Sequence, residues 1–182
     1  MIASLWGTIA EEAAAESPLW EAALLPAAQR DEHPVFSPLG SERFGLAIES
    51  IYEGYLLHYG RPRLFQPEQP DTGVLLGDYL YAHGLVRLAT FGDVGAVADL
   101  AELISLCTQL RAEGDGALRG RLDGAAWAAT AALLGDGRGL LERARAALRL
   151  ERDPVPLEEL ASSVAGPAAV ERALGVHAAR VG

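Results

Sequence analysis

The sequence predicts an all-α protein, a helical bundle of six to eight helices joined by turns. Apolar residues recur at three- and four-residue steps through most of the chain, which is typical of helices that bury one face. No stretch alternates apolar and polar residues with period two over a useful length. Half of the 182 residues are hydrophobic, which is enough for the core of one domain.

The N-terminal region predicts two helices in succession. Residues 2–16 are expected to form a helix because Ala and Glu have high helix propensity. Ser17 is suited to cap the next helix and Pro18 to its first turn, so the second helix is expected from Pro18 to about Arg30. Pro26 should bend or end it, because proline lacks the amide that a helix interior needs.

Two proline-containing loops flank the third helix, which is expected from about Ser41 to Tyr59. Residues 31–40 contain two prolines and residues 61–71 contain three. Prolines at this density prevent regular helix, so both segments are predicted as loops.

The most regular apolar pattern lies in Asp71–Leu88, which predicts the fourth helix. Gly77 and Gly84 lie seven residues apart on nearly the same side, and each costs about 1 kcal/mol of helix propensity relative to Ala. Such a cost is usually offset by the close approach of another helix or a ligand, so we expect one at these glycines. One wide apolar face is expected from Val74, Leu75, Leu76, Leu80, Tyr81, Leu85 and Leu88.

Glycines and prolines divide the C-terminal half into the remaining helices. Asp93 is suited to cap a helix that begins at Val94. A bundle domain is expected over residues 1–152, with a short C-terminal helical tail, residues 153–182, packing on it. Helices are expected at 94–112, 117–134, 139–152, 157–164 and 168–174, with breaks at Gly114–Gly116 and Gly135–Gly137.

The composition argues against several classes of function. The net charge is −10 and all fifteen basic residues are Arg, so a nucleic-acid-binding surface, which needs a basic excess, is not expected. No apolar run approaches the roughly 20 residues of a membrane span, and Glu11 and Glu12 argue against a signal peptide. The single Cys107 cannot form an internal disulfide, which favours a cytoplasmic protein.

The third and fourth helices carry an ordered set of residues that matches a family pattern. The matching positions are Glu49, Ile51, Leu56, Leu57 and His58 in the third helix and Val74, Leu75, Gly77, Asp78, Leu80 and Ala82 in the fourth. This sequence pattern resembles that of the trans-polyprenyl diphosphate synthases, in their helix that contains a Gly-Asp pair and in the helix before it. The resemblance covers about Leu46–Leu148 and implies a truncated isoprenoid-synthase fold.

Tyr59 and Gly60 stand where the resemblance places the first two aspartates of that family's metal-binding motif. No DDxxD sequence occurs elsewhere in the chain. Departure of diphosphate needs Mg²⁺ held by clustered carboxylates, so we expect no catalysis by this chain alone, no bound cofactor, and Mg²⁺ only in a partner subunit. Arg61 and Arg63 stand in place of the family's paired arginines, which grip diphosphate.

Tyr52, Tyr55 and Tyr59 form one aromatic stripe at helical spacing, and two interpretations are open. By the resemblance, Gly54 and Tyr55 occupy positions that face the hydrocarbon cavity and set product length. The stripe would then be a wall or plug of an isoprenoid channel. Alternatively, the tyrosines are core or interface residues.

Glu49 and Glu53 lie one helical turn apart, as glutamates do in bundles that bind two irons. Such bundles also need Glu-x-x-His pairs, and this sequence has none. His58 and His83 could face each other across neighbouring helices, but lone histidines are more often packed or surface residues than ligands. We therefore expect no metal site.

A half-length chain without these aspartates resembles the small, non-catalytic subunit of a two-component hexaprenyl or heptaprenyl diphosphate synthase. The resemblance implies a regulatory subunit that pairs with a catalytic subunit making quinone side chains, and shapes the channel for the isoprenoid chain. The alternatives are a stand-alone all-α interaction or scaffold protein and an enzyme with unrecognised ligands. The channel or interface candidates are Tyr52, Gly54, Tyr55, Tyr59, Gly77, Asp78 and Gly84.

Overall fold

A computed structural model describes residues 4–113 and 116–181, and this part of the chain contains nine α-helices and no β-strand. The predicted all-α fold is therefore confirmed, with one or more helices beyond the six to eight expected. Three short 3₁₀ turns, Ala27–Gln29, Ser37–Leu39 and Glu42–Phe44, lie between the second and third helices. The helices are α1 (Leu5–Glu16), α2 (Pro18–Ala23), α3 (Gly45–Tyr59), α4 (Pro70–Thr90), α5 (Val94–Glu113), α6 (Gly116–Leu133), α7 (Arg138–Glu151), α8 (Val155–Ala165) and α9 (Pro167–Val181).

Glycines bring α3 and α4 unusually close together. A Cβ placed on Gly54 of α3 would lie 2.8 Å from the carbonyl oxygen of Gly77, and one on Gly84 would lie 2.4 Å from Ile51 Cγ1. Both separations are shorter than real Cβ contacts allow, so only glycine permits this packing. The close approach predicted for Gly77 and Gly84 is confirmed, and the element that approaches is α3.

The core consists of two apolar clusters that share the α3–α4 pair. In the smaller cluster, α1 and α2 cover one side of the pair together with the loop before α4. In the larger cluster, α3 and α4 pack with α5 to α9 and with the segment before α3. The members of the smaller cluster are Trp6, Ile9, Ala13, Ala23, Leu64, Phe65, Leu76 and Leu80.

The second helix is much shorter than predicted, because the chain after it pairs with the loop before α4. α2 ends at Ala23, whose carbonyl accepts a hydrogen bond from the Gln66 amide at 2.7 Å. The Leu25 amide donates to the Leu64 carbonyl at 2.9 Å. These bonds satisfy the extended backbone, so the expectation of helix as far as Arg30 was wrong.

The helix ends in the C-terminal half mostly follow the sequence signals. The Ala96 amide donates to Asp93 Oδ1 at 2.9 Å, which confirms the predicted cap of α5. α6 ends at Leu133, and Gly135 has a φ of +88°, a conformation that favours glycine. The predicted break at Gly114–Gly116 lies in part outside the described residues.

The helices of the C-terminal tail are longer than the sequence predicted, and they are deeply packed. α8 and α9 extend beyond both predicted segments, and they contribute Leu157, Ala161, Val170 and Ala173 to the larger cluster. His177 of α9 is also fully buried. Residues 153–181 therefore share one core with the rest of the bundle. None of the described helices is long and apolar enough to cross a membrane.

Candidate functional site

Two of the three stripe tyrosines lie in the interior. Tyr52 and Tyr55 are buried, with ring centroids 5.1 and 5.6 Å from that of Trp127, whereas Tyr59 is half-buried at the edge of the core. The Tyr52 hydroxyl and His177 Nδ1 are hydrogen-bonded at 3.0 Å. This placement agrees with the interpretation of Tyr52 and Tyr55 as core residues of this chain.

A polar network surrounds the Tyr55 hydroxyl. Tyr55 donates to Asp123 Oδ2 at 2.6 Å, and Arg111 Nε donates to the same oxygen at 2.5 Å. Burial raises the pKa of the Asp123 carboxyl, and the bonds from Tyr55 and Arg111 act in the opposite direction. Burial also raises the pKa of the nearby Cys107 thiol, so the reactive thiolate is disfavoured.

Arg63 forms a fully buried ion-pair triad with Glu49 and Glu53. Arg63 Nη1 donates to Glu49 Oε2 at 2.6 Å, and Arg63 Nε donates to Glu53 Oε2 at 2.9 Å. The second oxygen of each carboxylate accepts from two backbone amides, those of Val35 and Ser37 for Glu49 and those of Arg63 and Leu64 for Glu53. The triad is thus closed to any ligand, and Arg63 is not available to grip a diphosphate.

The two histidines considered as metal ligands do not lie together. His58 Nε2 lies 3.2 Å from Asp78 Oδ1, whereas the His83 ring stacks on Tyr79 and its Nδ1 lies 3.7 Å from Glu12 Oε2. The suggestion that His58 and His83 face each other was therefore wrong. Among residues 4–113 and 116–181, no three His, Cys, Asp or Glu side chains are grouped to hold a metal ion.

Gly54, Gly77 and Gly84 are buried between α3 and α4, where each glycine faces the partner helix of this same chain. Of the seven candidate residues, only Tyr59 and Asp78 retain accessible side chains. Asp78 has the more accessible one, with 64% of its side chain exposed.

An exposed, nearly uncharged surface runs along α4 beside Asp78. Val74, Leu75 and Val86 are between 48% and 60% exposed, although Val74 and Leu75 were assigned to the buried face by the sequence pattern. That assignment was wrong, because α3 covers the side of α4 that carries the glycines. The exposed residues of this surface on α4 are Val74, Leu75, Asp78, Ala82, Val86 and Ala89.

The surface continues onto α5, across a floor of partly buried apolar side chains. Tyr81 and Leu85 of α4 and Val97 and Ile104 of α5 pack against the larger core cluster and remain partly accessible. The outer side of α5 adds the exposed Val94, Ser105 and Thr108. We call the two sets of exposed residues, together with this floor, the α4–α5 face.

The charged groups of α5 are engaged in ion pairs with residues elsewhere in the chain. Asp99 lies 3.5 Å from Arg145 of α7, and Glu102 pairs with Arg149 of the same helix. Glu113 pairs with Arg152 at 2.9 Å, and Arg111 pairs with Asp123 of α6. A two-helix surface with Asp78 as its one charged residue is unusual in a chain in which 22% of residues are charged.

Two surface clefts are alternative candidate sites to the α4–α5 face. A cleft of about 340 Å³ between α5 and α7 contains Asp99, Glu102, Glu142, Arg145 and Arg149, and most of these charges already pair with one another. A groove of about 690 Å³ between α6, α8 and α9 is mainly apolar. In the first cleft the carboxylates of Asp99 and Glu102 are held by arginines, and the second is lined mainly by apolar residues, so neither offers an arrangement typical of an active site.

No protein-family model, curated protein or solved structure matches this chain. Sequence reasoning missed the α4–α5 face, although α4 carried a signal for it. The buried side of α4 carries Gly77, Leu80 and Gly84. Large apolar residues also occur on other sides of the helix, at Val74, Leu75 and Val86. α4 is therefore apolar around more of its circumference than a helix with one buried face needs to be.

Proposed function

We propose that this chain is a non-catalytic regulatory subunit of a heteromeric polyprenyl diphosphate synthase and that it binds the catalytic subunit through the α4–α5 face. The observation that carries the proposal is the exposed, nearly uncharged surface of these two helices. Contiguous apolar surface of this kind marks protein–protein interaction sites in soluble proteins. The resemblance to the prenyl synthases supplies the identity of the partner.

The face can form the centre of a specific interface. It extends from Val74 to Ala89 on α4 and from Val94 to Thr108 on α5, so it covers roughly 23 Å of each helix. Two helices packed side by side over that length offer on the order of 450 Å². Each partner in a standard interface buries about 800 Å², so residues around the face supply the rest of the interface.

The arrangement of charged residues supports binding rather than chemistry. The metal-binding aspartates of the family are replaced by Tyr59 and Gly60. The buried carboxylates of Glu49, Glu53 and Asp123 are held by arginines of the same chain. Product length would then be regulated through the shape that the subunit imposes on the catalytic partner.

The test combines an activity assay with a surface substitution and a matched control. Product formation from an allylic diphosphate, isopentenyl diphosphate and Mg²⁺ is measured with this chain alone, with a candidate catalytic subunit from the same organism, and with both. We expect no activity from this chain alone, and a complex on a sizing column with altered product length on mixing. Val86→Asp, at 60% exposure on the face, should abolish the complex because it places a second charge there.

Val164→Asp is the control, since Val164 of α8 is 57% exposed and lies away from the face. It should leave complex formation and product length unchanged. Absence of a complex with the wild-type chain, with product length unaffected, would contradict the subunit role. That outcome would favour the alternative of a stand-alone all-α scaffold that uses the same face for an unrelated protein.

A further inference from the structure

Asp78 is the one charged residue among those that define the α4–α5 face. The other charged residues of α4 are Asp71, which is exposed in the first turn before the face begins, and Arg87. Arg87 lies on the opposite side of the helix, where it pairs with Glu12 of α1. Asp78 projects from the face with its nearest charged or titratable contact at 3.2 Å, the Nε2 atom of the largely buried His58.

A docked partner has to accommodate this carboxylate. Covering an ionised group with apolar surface removes its hydration and is strongly unfavourable unless a group of opposite charge replaces the water. His58 reaches Asp78 from the core side only, because α3 packs against the inner side of α4. The outer side of the carboxylate therefore needs a donor from the partner.

We infer that the protein bound at the α4–α5 face presents an Arg or Lys side chain to Asp78, surrounded by uncharged side chains that contact the alanines and valines of the face. The inference rests on the proposed function, since it specifies the chemistry of the partner at that surface. Such a pair fixes the register of the two proteins and excludes partners without the basic group.

The same reasoning argues against a second copy of this chain as the occupant. The described residues of the face include no basic side chain that a second copy could offer to Asp78. Two copies would bring two acidic groups into one interface, and each copy also carries a net charge of −10. Charge complementarity therefore points to a different protein with a basic residue at its docking surface.

The test measures the dissociation constant between the full-length chain and the catalytic subunit at low and moderate ionic strength. Asp78→Asn should weaken binding at least tenfold, and Asp78→Arg should weaken it further, because a buried charge without its partner is costly. Reversing the charge of individual arginines and lysines on the catalytic subunit should identify one that restores binding to Asp78→Arg. Asp136→Asn, which removes an exposed carboxylate in the turn after α6, should have no effect.

The outcomes separate this inference from the proposed function. If Asp78→Asn and Asp78→Arg bind as the wild type does while Val86→Asp does not bind, the face is a docking site and the inferred basic contact is wrong. If all face variants bind normally, or the wild type does not bind at all, both proposals fail. A homodimer seen by analytical ultracentrifugation and lost in Val86→Asp would show that a second copy occupies the face, and would overturn the inference.

Discussion

Arg63 shows how the role of a single residue depends on its depth in the fold. In the sequence it stands beside a proline in a loop, where a basic residue suits phosphate recognition. In the fold it is buried, its guanidinium lies 4.6 Å from the Trp6 ring centroid, and it neutralises one of two buried glutamates. A spacing pattern cannot reveal burial of this kind, because the partners lie ten and fourteen residues away along the chain and meet through the turn after α3.

His177 should make the stability of the protein depend on pH. Burial lowers the pKa of His177 to about 3 from the ordinary value of 6.5, because the ring lies among aromatic side chains and Arg111 adds repulsion. The unfolded chain therefore binds a proton before the folded protein does, and the free energy of unfolding falls as the pH drops below about 6.5 towards 3. The slope from this one group approaches about 1.4 kcal/mol per pH unit.

The measurement is urea denaturation of the wild type and His177→Gln between pH 7 and pH 4. Carboxylates titrate in both proteins, so the difference between their two curves of unfolding free energy against pH gives the contribution of His177. We expect the glutamine variant to be less stable at pH 7, because the Tyr52 contact changes, and to lose less stability on acidification. Parallel curves would show that His177 is not buried in its neutral form.

At the scale of the helices, the sequence predicted the features that depend on neighbouring residues well and the contacts between distant segments poorly. The caps at Ser17 and Asp93 and the glycine-dependent packing of α4 depend on local chemistry, and all three were predicted correctly. The end of α2 depends on pairing with residues 64–66, some forty positions further along. The side of α4 that faces solvent depends on where α3 lies, so the apolar pattern alone did not locate the α4–α5 face.

The α3–α4 contact should make Gly84 intolerant of even the smallest side chain. In Gly84→Ala the new methyl group would meet Ile51 Cγ1 at 2.4 Å and the Ala47 carbonyl oxygen at 3.1 Å. Relieving this overlap separates the helices or strains Ile51, which typically costs about 1–3 kcal/mol and outweighs the gain of about 1 kcal/mol in helix propensity. Urea denaturation should show this loss in the free energy of unfolding.

Gly175→Ala is the matched control for this substitution. Gly175 lies within α9, is exposed, and has nothing within 4 Å of the position of an added Cβ. There only the propensity gain applies, so the variant should be about 0.5–1 kcal/mol more stable than the wild type. Equal effects of the two substitutions would contradict the close packing of α3 on α4.

At the scale of the whole molecule, the last helix is part of the core, so we expect the domain to fold as one cooperative unit. α9 brings Val170, Ala173 and His177 into the interior. Its C-terminal end is tied to the turn after α3, where the Arg61 amide donates to the Arg180 carbonyl at 3.1 Å and the Arg180 guanidinium pairs with Asp31. In a single small domain, contacts between residues this far apart in sequence form and break together when the domain folds and unfolds.

Removing residues 167–182 should therefore abolish cooperative folding. The truncated chain would expose the glycines and alanines of α6 and the aromatic rings that enclose His177, and the marginal stability of a domain of this size does not tolerate such a loss. Circular dichroism should show no sigmoidal thermal transition, and a peptide spanning residues 166–182 should restore one when it is added in excess. A cooperative transition in the truncated chain alone would mean that residues 1–166 form a self-sufficient bundle, with α9 as a peripheral helix.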